Sequence, residues 1–202
     1  MRNVLLTGVG GQGTVLAAKV LAQAAQAKGW QVRTAETIGM AQRGGSVVSH
    51  VRMGDNGEEV IAPLVAKGTA DMIIAFEPAE AARVLPYLAP DGVMVSATTS
   101  IQPITAALST EPYLAEATIA SLGERLNECA AAPARFVLVD DEAVLSQVGN
   151  RKALNTVLLA SALKTGHLPL SLDDLRDAVC ACVKPRFVEL NLAAIDLVES
   201  KE

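Results

Sequence analysis

The stretch Asn3-Val4-Leu5-Leu6-Thr7-Gly8-Val9-Gly10-Gly11-Gln12-Gly13 decides the fold. Residues 3–7 form a short apolar run that is typical of a fully buried strand, and the glycines that follow end it at once. A helix is predicted from about Gly13 to Lys28, with Gly29 as its C-terminal cap. A strand, a glycine loop and a helix in direct succession form the first βα unit of an α/β fold.

Strand signals continue outward from this unit. Further strands are predicted at 31–36, 47–53, 72–76, 93–95 and 136–139. The turn signal Gly54-Asp55-Asn56-Gly57 is typical of a hairpin, so residues 58–61 are predicted to pair with the strand before them.

Predicted helices alternate with these strands, and the C-terminal part of the chain is predicted to be helical. An Ala-rich helix is predicted over 78–88, and beyond Asp140 the pattern is helical, with helices over 155–163, from Ser171 and after Pro185. Residues 97–112 are the best candidate for a surface loop. We therefore expect an α/β, Rossmann-like three-layer fold, in which a mostly parallel sheet carries helices on both faces and a helical C-terminal part follows.

Composition limits the function classes. The chain has 202 residues, which predicts a single domain over 1–202. Half of its residues are hydrophobic, yet no apolar run reaches the roughly 18 residues of a membrane span. The formal charge is -5 and no basic stretch is present, which argues against a nucleic-acid partner. The N-terminus lacks the pattern of a signal peptide, so a cytoplasmic protein is expected.

The glycine loop is the first candidate binding site. Gly8, Gly10, Gly11, Gln12 and Gly13 fit the dinucleotide fingerprint G-x-G-x-x-G in its required place between a strand and a helix. The helix N-terminus would offer unpaired N–H groups to an anion. The fingerprint also needs an acidic residue about 20 positions on, and Glu36 is the nearest candidate. Nucleotide binding and a purely structural or protein-facing turn both stay open.

A second loop, residues 36–46, should lie beside the first at the carboxyl edge of the sheet. Arg43 carries five donors, and the backbone of Gly44, Gly45 and Ser46 can curl around an anion. The alternative is that Arg43 forms a structural salt bridge.

Other reactive residues give weaker signals. Cys129, Cys180 and Cys182 are too few and too poorly spaced for an iron-sulfur cluster or a zinc site, and His50 and His167 are isolated, so no metal site and no catalytic residue are predicted. Thr98-Thr99-Ser100 is read as a turn that could touch a ligand, and Asp140-Asp141-Glu142 as helix capping.

The two loops together resemble the pyruvate/ketoisovalerate (2-oxoacid:ferredoxin) oxidoreductase gamma-type domain family. The resemblance rests on Gly8–Gly13 with Gly39–Arg52, and continues through Gly149–Asn155, Leu168–Ser171 and Lys184–Asn191. The Met-Ala-Gln-Arg-Gly-Gly form is most similar to the beta subunits of the indolepyruvate ferredoxin oxidoreductases within the family.

The resemblance implies a function in a larger enzyme. A 2-oxoacid, coenzyme A and oxidised ferredoxin would give an acyl-CoA, carbon dioxide and reduced ferredoxin. Thiamine diphosphate and the iron-sulfur clusters would be held by a large partner subunit, through which ferredoxin is reached, and none of them by this chain alone. A homodimer of the isolated chain stays open.

We therefore expect the non-redox small subunit of such an oxidoreductase, acting on indolepyruvate or related arylpyruvates. Gamma subunits for pyruvate, 2-oxoisovalerate or 2-oxoglutarate are the alternatives within the family. The alternative from another class is an NAD(P)-dependent dehydrogenase or a nucleotide-binding module, which the glycine fingerprint and Glu36 favour.

Overall fold

A computed structural model of the protein describes residues 1–39, 44–101, 113–127 and 135–201. The strands are β1 (Arg2–Val9), β2 (Gln31–Ile38), β3 (Ser46–Gly54), β4 (Ala70–Ala75), β5 (Leu88–Ala97) and β6 (Phe136–Val139). The α-helices are α1 (Thr14–Ala27), α2 (Pro78–Val84), α3 (Ala115–Asn127), α4 (Asp141–Val148), α5 (Leu154–Lys164), α6 (Leu172–Cys182) and α7 (Val188–Ser200). Short 3₁₀ turns cover Leu85–Tyr87, Arg151–Ala153 and Pro185–Phe187.

The six strands form one mixed sheet in the order β2-β3-β1-β4-β5-β6. The pairings from β1 through β4 and β5 to β6 are parallel, as predicted. Strand β3 is antiparallel to both of its neighbours, β1 and β2. The connection from β2 to β3 is short, so the chain turns back and inserts β3 between β2 and β1.

The predicted hairpin of β3 with residues 58–61 is wrong. A turn does follow β3, but residues 58–66 form no strand. Both edges of β3 are already paired with β1 and β2, so no edge is free for a third partner. The segment instead runs beside the sheet, where the Val65 N–H donates to His50 Nδ1 at 3.1 Å.

Helices cover both faces of the sheet. Val4 and Leu6 of β1 belong to the larger core cluster, which includes residues of α1 and of α4 to α7, whereas Leu5 belongs to the smaller cluster with residues of α2 and α3. All three side chains are fully buried. Burial on both faces explains why the first strand reads as an unbroken apolar run.

The carboxyl ends of the four parallel strands meet at one edge of the sheet. The glycine loop follows β1, Phe76 follows β4, Thr98 follows β5 and Asp140 follows β6. Ligands of open α/β sheets bind at this edge. Within the described part of the chain, no helix has the length and apolarity needed to cross a membrane.

Candidate functional site

The two glycine loops lie together, which confirms their predicted convergence. The Gly10 N–H donates to the Gly45 carbonyl at 2.9 Å, and the Gly39 N–H donates to the Ser46 carbonyl at 2.8 Å. Arg43 lies outside the described residues.

Gln12 closes the space between the ends of β1 and β4. Its Oε1 accepts from the Val9 N–H at 2.7 Å, and its Nε2 donates to the Phe76 carbonyl at 2.8 Å. A Cβ atom on Gly8 would lie 2.7 Å from Gln12 Oε1 and 2.8 Å from Phe76 Cβ, so only glycine fits there. The strand order of the sheet reverses between β1 and β4. In dinucleotide-binding folds the ligand lies across the crevice at such a reversal. Here the Gln12 amide occupies that crevice.

Glu36 does not lie where the acidic residue of a dinucleotide fingerprint would hold a ribose. It lies on the exposed strand β2, opposite Ser49 of β3. Because β3 lies between β2 and β1, two strand spacings, roughly 10 Å, separate Glu36 from the strand that carries the glycine loop. A Rossmann fingerprint instead needs β2 directly beside β1.

A cavity of about 440 Å³ opens on the α1 side of the glycine loop. Its wall comes from the glycine loop and α1, from the segments after β5 and β6, and from the C-terminal helical part. The lining residues are Gly11, Gln12, Gly13, Leu16, Thr99, Ile101, Asp141, Arg151, Lys152, Leu154, Asn155, Val183, Phe187 and Asn191. Gly44, Gly45 and Ser46 do not line it.

Two helix N-termini contribute positive potential to this cavity. Gly13, at the N-cap of α1, has a φ of 87°, no side-chain cap is present, and the first turn of α1 holds no acidic residue. Helix α5, which begins at Leu154, likewise has neither a side-chain cap nor an acidic first turn. Lys152 adds a cationic side chain, and Arg151, which also lines the cavity, is paired with Glu142 at 3.7 Å. These groups place positive potential at the start of α1.

Asp141 is the acidic residue of this cavity, and sequence reasoning missed it. Its side chain is fully buried, and Oδ1 accepts from the N–H groups of Thr98 and Thr99 at 3.1 and 3.0 Å. Helix α4 is capped by Asp140, whose side chain accepts from the Ala143 N–H at 3.0 Å. Capping a helix requires only one acidic residue. The second of two adjacent aspartates after a strand was therefore the sequence signal that could have pointed to a further role for Asp141.

Ser46 faces the opposite side of the glycine loop. Its hydroxyl donates to the buried carboxylate of Glu80, and the Tyr113 hydroxyl donates to Glu77 Oε1 at 2.9 Å. Burial, together with the adjacent Glu77 carboxylate, raises the pKa of Tyr113 well above its ordinary value. Ser46 thus has a structural partner.

Comparison with known proteins identifies the family. The model described as "Pyruvate ferredoxin/flavodoxin oxidoreductase" matches residues 3–198. The chain belongs to this family. It is 36% identical over 197 residues to the indolepyruvate oxidoreductase subunit IorB of Pyrococcus horikoshii, covering 96% of this chain and 93% of the relative.

Two solved structures share the fold of this pyruvate ferredoxin/flavodoxin oxidoreductase family member. The keto/oxoacid ferredoxin oxidoreductase gamma subunit of Geobacter sulfurreducens is similar with a TM-score of 0.67 and 21% identity, over 98% of this chain and 96% of that one. The 2-oxoglutarate:ferredoxin oxidoreductase of Magnetococcus marinus gives a TM-score of 0.68 at 16% identity, over all of this chain and 31% of the larger one. The fold thus occurs both as a separate subunit and within a longer chain.

The structure of this family member also shows the surroundings of the histidine and cysteine residues that the sequence analysis considered. His50 is buried, and this burial lowers its pKa. Cys180 is exposed and Cys182 half-buried, while Cys129 lies outside the described residues. Across residues 1–39, 44–101, 113–127 and 135–201, no three His, Cys, Asp or Glu residues form a metal-binding group. The binding role of Gly8–Gly13 and of Arg43–Ser46 stays a prediction.

Proposed function

We propose that the chain is the non-redox small subunit of a cytoplasmic, thiamine-dependent 2-oxoacid:ferredoxin oxidoreductase that acts on indolepyruvate or a related arylpyruvate. The observation that carries this proposal is the similarity to an indolepyruvate oxidoreductase subunit over nearly the full length of both chains. The match of the family to residues 3–198 supports the reaction class.

In this proposal the partner subunit performs the redox chemistry. A 2-oxoacid loses carbon dioxide, its acyl group passes to coenzyme A, and the electrons pass to ferredoxin. A cubane or two-iron cluster needs about four cysteine ligands, and this sequence holds three cysteines at scattered positions. The clusters are therefore assigned to a large subunit. The resemblance to the family implies that thiamine diphosphate is held there too and that ferredoxin is reached through that subunit.

The loop after β2 is the surface that we assign to assembly or to coenzyme A. Gly44 has a φ of 74°, and the Gly45 carbonyl is bonded to the Gly10 N–H, so the first glycine loop supports the second. Arg43 precedes them in the sequence and supplies a planar cation. Either the phosphates of coenzyme A or acidic groups of the large subunit would match it.

Reconstitution with the large subunit tests the proposal. The chain should co-purify with a cluster-bearing partner, and the complex should reduce ferredoxin in the presence of coenzyme A and indolepyruvate. The same assay with pyruvate, 2-oxoisovalerate and 2-oxoglutarate provides the substrate controls. Turnover that is fastest with one of these aliphatic acids would replace the arylpyruvate assignment, and a chain that joins no such partner would refute the subunit role.

A further inference from the structure

Asn155 places an unused hydrogen-bond donor in the cavity beside the glycine loop. The residue is only 5% exposed and lines the cavity near the start of α5. Its Oδ1 accepts from the Thr156 N–H at 3.0 Å, which fixes the orientation of the amide. Within the part of the chain that the structure describes, Nδ2 donates to no acceptor, yet it is not one of the unpartnered atoms that the fold encloses completely. The nitrogen is therefore open to the cavity and can donate to a ligand there.

The start of α1 lies beside this nitrogen. A Cβ atom on Gly13 would lie 3.7 Å from Asn155 Nδ2, and both residues line the cavity. The first hydrogen bond of α1 runs from the Ala17 N–H to the Gly13 carbonyl, so the N–H groups of residues 14–16 have no partner within the helix. Backbone donors and the Asn155 amide therefore converge on one end of the cavity, where they suit an anion.

The charges at this end of the cavity suit an anion with a single charge. Lys152 Nζ lies 5.0 Å from the centre of the Phe187 ring, and both residues line the cavity. Arg151 is paired with Glu142, and Asp141 brings a buried acidic side chain to the same wall. Lys152 and the dipole of α1 supply the positive charge, and Asp141 offsets part of it. A carboxylate matches this balance better than a phosphate group, which carries nearly two negative charges.

The remaining walls of the cavity are apolar. Leu16 and Ile101 are each 36% exposed, and Val183 and Phe187 complete the lining. The volume of about 440 Å³ lies within the range of roughly 300–1,000 Å³ that is typical of small-molecule sites. An apolar ring attached to the anion would remove the surface of these side chains from water.

We propose that this cavity binds a monocarboxylic acid that carries an apolar ring. The carboxylate accepts from Asn155 Nδ2 and from the N–H groups at the start of α1. Lys152 faces its charge, and the ring covers Leu16 and Ile101. The site deepens the proposed function, because an arylpyruvate belongs to this chemical class. That link rests on the proposed function, whereas binding to the cavity is measured without the large subunit.

Titration calorimetry on the full chain tests the site, with indole-3-acetate as the probe. The acid should bind, whereas its neutral isostere indole-3-acetamide and the ringless anion acetate should each bind at least tenfold more weakly, a loss of about 1.4 kcal/mol. AMP, which joins a ring to a phosphate group, should also bind more weakly than the acid. Equal affinities of the acid and the amide, or a preference for AMP or coenzyme A, would overturn the proposal. Absence of binding would refute the site and leave the subunit role to the reconstitution experiment.

Asn155→Asp isolates the amide donor. Aspartate keeps an oxygen for the Thr156 N–H, and a carboxylate in the first turn of α5 complements the helix dipole, so the fold should be retained. The substitution replaces the donor by a negative charge, so affinity for indole-3-acetate should fall about tenfold or more, while affinity for indole-3-acetamide stays nearly constant. Asn150→Asp is the matched control, because Asn150 caps the preceding 3₁₀ turn through Oδ1 and does not line the cavity. If both variants bound the acid equally well, the assignment of Asn155 would be refuted.

Lys152→Met examines the charge on an exposed residue, where a substitution should leave the fold intact. It should weaken indole-3-acetate by up to about fivefold, because an exposed ion pair is a weak contact, and it should leave indole-3-acetamide unchanged. Lys184→Met is the matched control, since Lys184 is exposed and does not line the cavity. Equal effects of the two lysine variants on the acid would show that the carboxylate does not lie at this end of the cavity, and the proposal would fail even if Asn155→Asp did not fold.

Discussion

Gln12 joins the ends of two strands through a single side chain. Its amide oxygen accepts from the Val9 N–H and its amide nitrogen donates to the Phe76 carbonyl, so both ends of the amide are used. The same atoms explain why Gly8 carries no side chain, since a Cβ there would collide with Gln12 Oε1. The glycine fingerprint in this chain is therefore partly a packing motif that holds β1 against β4.

Gln12→Glu should destabilise the chain. The glutamate can still accept from the Val9 N–H, but it cannot donate to the Phe76 carbonyl and places a negative charge beside it. We expect a loss of about 1–3 kcal/mol in the free energy of unfolding, which for a domain of this size is a fall of roughly 2–4 °C in Tm per kcal/mol. Thermal melting of the isolated chain measures it. Gln147→Glu, on the exposed surface of α4, is the control, and equal Tm values for the two variants would contradict the bridging role.

Arg43→Ala should act on the assembled enzyme and not on the isolated chain. A charge-assisted contact from Arg43 contributes about 1.5–3 kcal/mol, so its loss should weaken assembly or raise the apparent KM for coenzyme A about tenfold or more. Arg43→Lys should restore the effect only in part, because an ammonium group cannot reproduce the planar fork of donors. Steady-state kinetics of the reconstituted complex measure the change. If Arg43→Ala lowered only the Tm of the isolated chain, the residue would be a structural salt-bridge partner.

At the scale of elements, the predicted strands and helices mostly agree with the structure because local patterns determine them. The apolar run of residues 3–7 predicts β1, and Ser171 predicts the start of α6, where the structure shows a capping box of Ser171 with Asp174. The strands that pair with β3 could not be predicted from the sequence. The turn at Gly54–Gly57 indicates that the chain reverses its direction, but it does not indicate which strand edge is free to pair. Helix α3, residues 115–127, was not predicted either. Its first turn holds Glu116 and its last turn Arg125, and Leu122 and Leu126 are its buried residues in the described part.

The candidate site was predictable to the same limited degree. Both glycine loops are visible in the sequence, since only backbone conformation and spacing define them. Asp141 was read as a cap, because its role depends on the segment after β5, which lies more than forty residues earlier in the sequence and meets it only in the folded sheet. Residues that a tertiary contact brings together leave no periodic signal.

The segment of residues 58–66 is attached to the sheet through His50, which predicts a pH dependence of stability. The Val65 N–H donates to His50 Nδ1, which must be unprotonated to accept, and burial lowers the pKa of this histidine. The unfolded chain therefore gains a proton as the pH falls through about 6.5, before the folded chain does. The free energy of unfolding should be largest above this pH and decrease between pH 6.5 and the lower pKa of the folded state.

Urea unfolding at pH 7.5 and pH 5.5 measures this effect. His50→Gln should reduce the difference between the two pH values, since glutamine can accept from Val65 without titrating. The chain has one other histidine, and His167→Gln should retain the difference. Carboxyl groups with lowered pKa values, such as Asp55 and Asp174, lose their contribution only at more acidic pH. A His50→Gln protein with an unchanged difference would refute the assignment to His50.

On the scale of the whole molecule, the sheet separates two regions at its carboxyl edge. The face with α1 and α5 carries the cavity, in which Gly13, Asp141 and Lys152 come from different connections. The loop of Gly44 and Gly45 is bonded to Gly10 of the first glycine loop, and Ser46, which follows it, donates to the buried carboxylate of Glu80. Gly44, Gly45 and Ser46 are therefore not shared with the lining of the cavity.

The isolated chain should be colourless and should not catalyse the 2-oxoacid reaction. Its three cysteines are fewer than the four ligands of a cluster, and two of them, Cys180 and Cys182, lie two positions apart near the end of α6, on different sides of the helix. Visible spectroscopy with iron determination and a coenzyme A-dependent ferredoxin reduction assay measure the two properties. The complex with the large subunit should show both colour and activity, and it serves as the positive control for the same preparation. An absorption band with stoichiometric iron in the chain alone would mean that it holds a cluster itself, and electron transfer would then have to be assigned to this subunit.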